Sequence, residues 1–210
     1  MSVVYINLDH REDRRTHVET QLKSIGIENA VRFSAIKHDD GALGCSMSHL
    51  KCVENAKKNN DKYLMVCEDD IEFTDPDLFT TQLNSFFNSN IKWDVILLAG
   101  NNMMPFVQEN NYSIKVMNCQ TTTGYIVKNT YYDTLINNYK DGIERLIETN
   151  NHLKYSIDKY WFRLQRKDNW YLIIPLSVVQ KEDYSDIEKK ITNFKSYMLN
   201  YNKCYTPMKI

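Results

Sequence analysis

The sequence predicts an α/β domain with a mostly parallel sheet, and three observations carry that expectation. Short β-branched and aromatic runs at 3–8, 63–67 and 93–99 are too brief and too sharply bounded for helices. Between them, apolar residues recur at helical spacing. Charged residues follow the first two runs directly, and strands alternating with helices at this interval build βαβ units.

Residues 3–8, Val-Val-Tyr-Ile-Asn-Leu, form the first strand, which the charged run 9–15 ends. Val18, Leu22 and Ile25 give the first helix, and Gly26 stands where a glycine stops one. A second strand at 31–36 and a loop at 38–41 lead to a helix through Cys45, Leu50, Val53 and Ala56, which runs out in the polar stretch 57–61. The strand 63–67 runs into Glu68-Asp69-Asp70 before 71–73 resumes it, and Asp75-Pro76-Asp77 opens a helix through Leu78, Phe79, Leu83, Phe86 and Phe87. Beyond the buried strand 93–99 and the Asn-rich stretch 100–111, residues 113–117 and 124–127 are expected to pair as later strands. Helices are expected over 130–139, 142–149 and 157–166, then a strand at 170–174. From Ile187 onward, Ile191, Phe194, Met198 and Tyr201 read as a terminal amphipathic helix.

With 210 residues, 42% hydrophobic and 25% charged, the chain fits one domain with a sizeable core and excludes global disorder. Lys+Arg at 26 against Asp+Glu at 27 leaves a net charge of -1, without the basic excess of a protein that tracks a phosphate backbone, so nucleic acid is excluded as the dedicated partner. No run approaches the ~20 apolar residues of a membrane span, and the first residues turn charged at once, so the chain as given is expected to carry no transmembrane segment or leader and to be cytoplasmic. Five cysteines without CxxC spacing, mostly among apolar neighbours, read as buried reduced thiols rather than a disulfide framework or a zinc site.

Glu68-Asp69-Asp70 is the sharpest chemical feature. In extended chain the side chains of 68 and 70 share a side, so two carboxylates converge beside an apolar strand. That charge is costly unless a cation offsets it, and hard oxygen ligands suit Mn²⁺ or Mg²⁺, the plain alternative being a solvated turn. Arg11, Arg14 and Arg15 add positive charge at a strand end, where open α/β sheets bind ligands, and a nucleotide diphosphate would fit them; the alternative is a charged helical turn with surface pairs. In the segment 41–49, Gly41 and Gly44 would let backbone approach a ligand at a helix start that favours phosphate, while His49 reads as a hydrogen-bonded structural residue. Thr121-Thr122-Thr123-Gly124-Tyr125 sets hydroxyls before a strand, and Asp158 stands at a helix start, where the dipole alone would favour an acid.

Taken together, Tyr5-Ile6-Asn7-Leu8-Asp9-His10-Arg11-Glu12-Asp13-Arg14, Gly41-Ala42-Leu43-Gly44-Cys45-Ser46-Met47-Ser48-His49 and Val66-Cys67-Glu68-Asp69-Asp70 resemble three successive signatures of glycosyltransferase family 25, which includes lipooligosaccharide and procollagen galactosyltransferases. Further matches follow in order at 93–98, 121–127, 156–161, Gln180 and 185–187. The resemblance implies a GT-A-type fold, with a nucleotide-sugar-binding half over about 1–100, an acceptor half over about 101–186 and a helical tail over 187–210. It implies inverting transfer from a nucleotide sugar, most often UDP-galactose, to a glycan or hydroxylysine hydroxyl. Mn²⁺ or Mg²⁺ would sit on Asp70 and Glu68. Asn7, Leu8, Arg11, Arg14, Ala35, Gly44, Ser48 and Asp69 would contact the nucleotide sugar, and Asp158 would be the catalytic base. Departures are Cys67 in place of an aliphatic residue, the insertion 182–184, and the lack of a late histidine other than His152, which leaves Ser185, Asp186 or water as a further metal ligand. A non-catalytic glycan- or nucleotide-binding module on the same fold is the competing reading, and the intact acidic triplet argues against it.

Overall fold

The computed structural model describes residues 1–187 and 189–204. The first half runs β1 (Ser2–Asn7), α1 (Glu12–Ser24), β2 (Val31–Ser34), α2 (Gly41–Lys58), β3 (Tyr63–Glu68), β4 (Ile71–Phe73), α3 (Pro76–Phe87) and β5 (Val95–Leu97). There follow β6 (Asn101–Met104), β7 (Phe106–Gln108), β8 (Ser113–Val116), β9 (Cys119–Gln120), β10 (Gly124–Lys128) and α4 (Tyr132–Thr149). The chain continues with α5 (His152–Tyr155), α6 (Ile157–Tyr160), α7 (Phe162–Gln165), β11 (Trp170–Ile173), β12 (Val178–Gln180), β13 (Asp183–Ser185), β14 (Lys190–Thr192), α8 (Lys195–Leu199) and β15 (Lys203–Cys204).

Eight strands form the central sheet in the order β2-β1-β3-β10-β5-β11-β8-β7, with β10 and β8 running against the others. Side-chain parity sorts the core into two faces. Leu64 and Val66 of β3 join Val95, Leu97, Tyr125 and Val127 against α2 and α4, while Met65 and Cys67 join Ile96 and Ile126 against α1 and α3. The predicted α/β class with a mostly parallel sheet is the architecture found. Among the described residues no helix is long and apolar enough to cross a membrane.

Local punctuation works as the sequence implies: Gly26 ends α1 with φ +77°, and Asp75 caps α3 by accepting from the Leu78 amide at 3.0 Å. Four expectations need correction. Residues 113–117 and 124–127 supply β8 and β10, but these do not pair, because β5 and β11 lie between them. The helices expected at 130–139 and 142–149 are one helix, α4. Gly142 is no breaker: a Cβ there would come within 2.9 Å of the Tyr160 ring, so the glycine lets the 157–160 turn pack closely. The helix expected over 157–166 is broken into the short turns α6 and α7. The described part of the tail is not one amphipathic helix but the β13–β14 hairpin, the five-residue α8 and β15. Of the apolar residues expected on its buried face, Ile191 is 70% exposed on the hairpin and Met198 is buried; residues 205–210 lie outside the described residues.

Candidate functional site

The acidic triplet stands at the carboxyl end of β3, near the sheet's middle. Glu68 keeps the parity of Leu64 and Val66 and therefore faces α2, where its Oε1 accepts from Thr122 Oγ1 at 2.7 Å and lies 3.2 Å from His49 Nε2 and 3.6 Å from Cys45 Sγ. β3 ends there, so the alternation expected to carry Asp70 to the same side stops: residues 69 and 70 turn into β4 and share Arg14 instead. Asp69 Oδ1 takes Arg14 Nη1 at 3.0 Å and its Oδ2 takes Asn7 Nδ2 at 2.7 Å. Asp70 Oδ2 takes Gln180 Nε2 at 2.7 Å, with Arg14 Nη1 at 3.4 Å, while its buried Oδ1 has no hydrogen-bond partner.

These placements separate the acids electrostatically. Burial, then the Glu68 charge, pushes Asp70 up to about 7, against the pull of Arg14. Burial also raises Asp69. Burial alone would raise Glu68 as well, but hydrogen bonding and charge from His49, with the Thr122 hydroxyl, hold it below the usual range.

Arg14 reaches further, to Asp183 Oδ2 at 3.1 Å and the Tyr184 carbonyl at 3.0 Å, so the β13 segment is tied to the acids through it. Arg11 is held by Asp13, Asp183 and Asp186 and does not line the cavity beside the triplet. Arg15 pairs with Glu19 on the surface, which is the plain reading of that arginine.

A cavity of ≈ 200 Å³ opens on the triplet and is lined by Asn7, Leu8, Arg14, Ala35, Gly44, Ser48 and all three acids, so the structure gathers every predicted nucleotide-sugar residue except Arg11. Several of these groups also have structural tasks. Asn7 bridges Asp69 and the Arg11 carbonyl. Ser48 donates to the Gly44 carbonyl and accepts from the Ile36 amide. A Cβ on Gly44 would lie 2.5 Å from the Ile36 carbonyl oxygen, so α2 needs glycine there to seat against residues 36–38. The phosphate-ready helix start expected at 41–49 is already capped, since Asp40 accepts from the Ala42 and Leu43 amides.

A second cavity, of ≈ 420 Å³, contains Asp158 and shares Cys45, Glu68, Gln180, Ser185 and Ile187 with the first. Asp158 Oδ2 accepts from the Thr121 amide at 3.2 Å, and burial raises its pKa. Thr121 has φ +74°, a strained conformation for a β-branched residue, and that turn aims its amide at Asp158. His152 lines this cavity too, but its ring faces Asp40 at 3.4 Å. A larger cavity of ≈ 720 Å³ around Met1, Gly26 and Asp61 lies away from the triplet. Gln180, Asp183 and Cys45 are functional candidates absent from the sequence-derived site; Gln180 and Cys45 had a signal as motif positions, and Asp183 had none.

Carboxylates gathered at and just past the carboxyl end of β3, beside two cavities that share lining residues, make that end of the α/β sheet the candidate ligand site, since open α/β sheets bind ligands at the carboxyl ends of their strands. The chain belongs to glycosyltransferase family 25 (LPS biosynthesis protein), whose sequence model matches residues 38–206, and it is a glycosyltransferase by that membership. No curated protein matches it. Among solved structures it is similar to mannose-1-phosphate geranyltransferase from Thermus thermophilus, at 12% identity and TM-score 0.46 over 82% of this chain and 72% of that one. It is similar to a glycosyltransferase involved in glycosylation of the major capsid of PBCV-1, at 9% identity and TM-score 0.45 over 83% and 92%. A mutant Drosophila beta-1,4-galactosyltransferase 7 in complex with manganese, UDP-Gal and xylobiose matches at 10% identity and TM-score 0.39 over 98% and 81%. The assignment rests on the family match alone.

Proposed function

We propose that the protein is a metal-dependent inverting glycosyltransferase that moves galactose from UDP to a hydroxyl of a glycan or hydroxylysine-type acceptor. The observation that carries this reading is the position of Glu68: it borders both cavities, so a donor beside the acids and an acceptor beside Asp158 would meet there. The residues fit a hard divalent cation, because Asp70 Oδ1 is a buried oxygen without a partner and Arg14, shared by Asp69, Asp70 and Asp183, leaves these carboxylates incompletely compensated. Asp70 and Glu68 would hold Mn²⁺ or Mg²⁺, which when bound supplies Lewis-acid neutralisation of the leaving diphosphate.

The chain's own groups do the rest. Arg14 adds fixed positive charge on the donor side, and Asp69 with Asn7 fixes the angle at which it enters. Asp158 accepts the proton of the acceptor hydroxyl as its oxygen bonds to the anomeric carbon and the bond to UDP breaks. The Thr121 amide orients that carboxyl, and its raised pKa makes it a better proton acceptor. Incubation with Mn²⁺ and a panel of nucleotide sugars, with UDP release as the readout, tests the reading. Turnover with UDP-galactose that EDTA abolishes is expected. Turnover indifferent to EDTA would remove the metal, and tight nucleotide binding without turnover on any donor and acceptor would leave a binding module.

A further inference from the structure

The proposed function uses Glu68 as a hard oxygen ligand and leaves its other neighbours unexplained. Cys45 and His49 lie one helical turn apart on α2, so their side chains share a face, and β3 parity brings Glu68 to the same point. One ligand atom from each lies within 4.8 Å of the other two. Tetrahedral Zn²⁺ with bonds of about 2.0–2.1 Å to nitrogen and oxygen and about 2.3 Å to sulfur sets N···O near ~3.3 Å and S···O near ~3.6 Å. The corresponding separations here are 3.2 Å and 3.6 Å.

We propose that Cys45, His49 and Glu68 form a site for Zn²⁺ or a similar thiolate-seeking divalent cation, distinct in ligand chemistry from the hard-cation role given to Asp70. A thiolate, an imidazole and a carboxylate select zinc or cobalt over manganese and magnesium. One thiolate and one carboxylate also balance a divalent charge in a buried place, where an uncompensated ion would be costly. The second coordination layer is present: His49 Nδ1 lies 3.1 Å from the Tyr125 hydroxyl, which receives a hydrogen bond from Tyr139 at 3.3 Å. Because that hydroxyl can accept from Nδ1–H, the tautomer that frees Nε2 for a metal has a partner. On binding, the thiol proton leaves to solvent. Cys45 and Glu68 line both cavities, so water could reach a bound ion and complete its shell.

The absence of paired-cysteine spacing does not bear on such a site, since it uses a single cysteine and draws its third ligand from another element. On the function proposed above, zinc here would withdraw Glu68 from the acids that meet the donor, but the binding itself is independent of that reading and is tested without donor.

Co²⁺ is the probe. Titration of the full chain is expected to give a cobalt–thiolate charge-transfer band that saturates at one equivalent, bleached by Zn²⁺ and not by Mn²⁺ or Mg²⁺. Cys45→Ser should abolish the band and weaken Zn²⁺ binding at least ~10-fold, while Cys204→Ser keeps both. A wild-type protein without the band, or a band that survives in Cys45→Ser, overturns the proposal. Should Cys45→Ser not fold, alkylation of the wild type followed by peptide mass spectrometry decides: Zn²⁺ protects Cys45 if the site exists, and equal labelling with and without Zn²⁺ overturns it.

Discussion

The two ends of the acidic triplet, two residues apart in sequence, sit in opposite environments. Glu68 is the last residue of β3 and inherits the packing of a strand: fixed parity, contact with α2, and hydrogen bonds from an imidazole and a hydroxyl that favour its charged form. Asp70 lies just past the strand in a turn, shares one arginine with Asp69, and has one oxygen with no partner. The strand-end acid already has partners within the protein, whereas the turn acid keeps one buried oxygen without any. Neighbouring like charges therefore differ in how far the protein itself compensates them, and two residues of separation at a strand terminus decide which oxygen is left without a partner.

Breaking the turn end should have the largest effect. Asp70→Asn keeps the shape and can still accept from Gln180, but loses the charge a hard cation needs, so transfer is expected to fall by ~10³ or more with the melting temperature little changed. Near-wild-type turnover by folded Asp70→Asn protein would end the distinction between the two acids. Arg14→Met removes the cation that Asp69, Asp70 and Asp183 share and retains most of the stem. Leaving buried carboxylates uncompensated is expected to cost about 3 kcal/mol of stability in denaturant titration of metal-free protein, and an unchanged midpoint would show that the acids are already neutral.

Asp158 sharpens the comparison from the proposed acceptor side. Asp158→Asn should lower kcat at saturating acceptor by ~10² while UDP affinity holds, as loss of a general base does. A raised acceptor KM at unchanged kcat would make it a binding residue, and a loss of stability alone would make it a helix residue.

The smallest effect is a pH slope. Asp70 is raised to about 7 from an ordinary carboxylate value near 4, so between those values the folded metal-free protein holds a proton that the unfolded chain has released. Its contribution is present on the acid side and is lost as pH rises toward 7. Stability should drop by roughly 1–3 kcal/mol between about pH 5 and pH 7.5, and Asp70→Asn should flatten the slope. Glu68 works in the opposite sense: held below its usual range, it contributes above that range and loses its contribution only as pH falls through its folded value, outside this window.

The sequence locates the triplet because an apolar run stops abruptly at it, and it finds the family because motifs are collinear. The triplet's inner geometry is hidden because alternation holds only while the strand lasts, and β3 ends at Glu68. Gln180 and Asp183 come from more than a hundred residues away, and no local spacing announces that they will meet Asp70 and Arg14. Residues 113–117 and 124–127 carry strand character legibly, but their neighbours are chosen by the whole sheet. The expected division of 130–149 into two helices fails because the sequence cannot show the Tyr160 ring that Gly142 accommodates within α4. Asn7 and Ser48 line the cavity beside the triplet, yet their hydrogen bonds show that a motif position can also hold the scaffold together.

The reversed strand β10 has a consequence for the order in which the protein can be built. Both neighbours of β5 in the sheet, β10 and β11, are synthesised after it, and the inner edge of β3 also waits for β10. A nascent chain that has reached only the end of β5 thus carries unsatisfied strand edges in what will become the middle of the sheet, edges that can recruit other chains. They close only once β11 is made, shortly before Gln180 and Asp183 arrive to bind Asp70 and Arg14. The stretch made after α7 therefore completes the hydrophobic sheet and the polar site almost together, so a chain that stops before it lacks both.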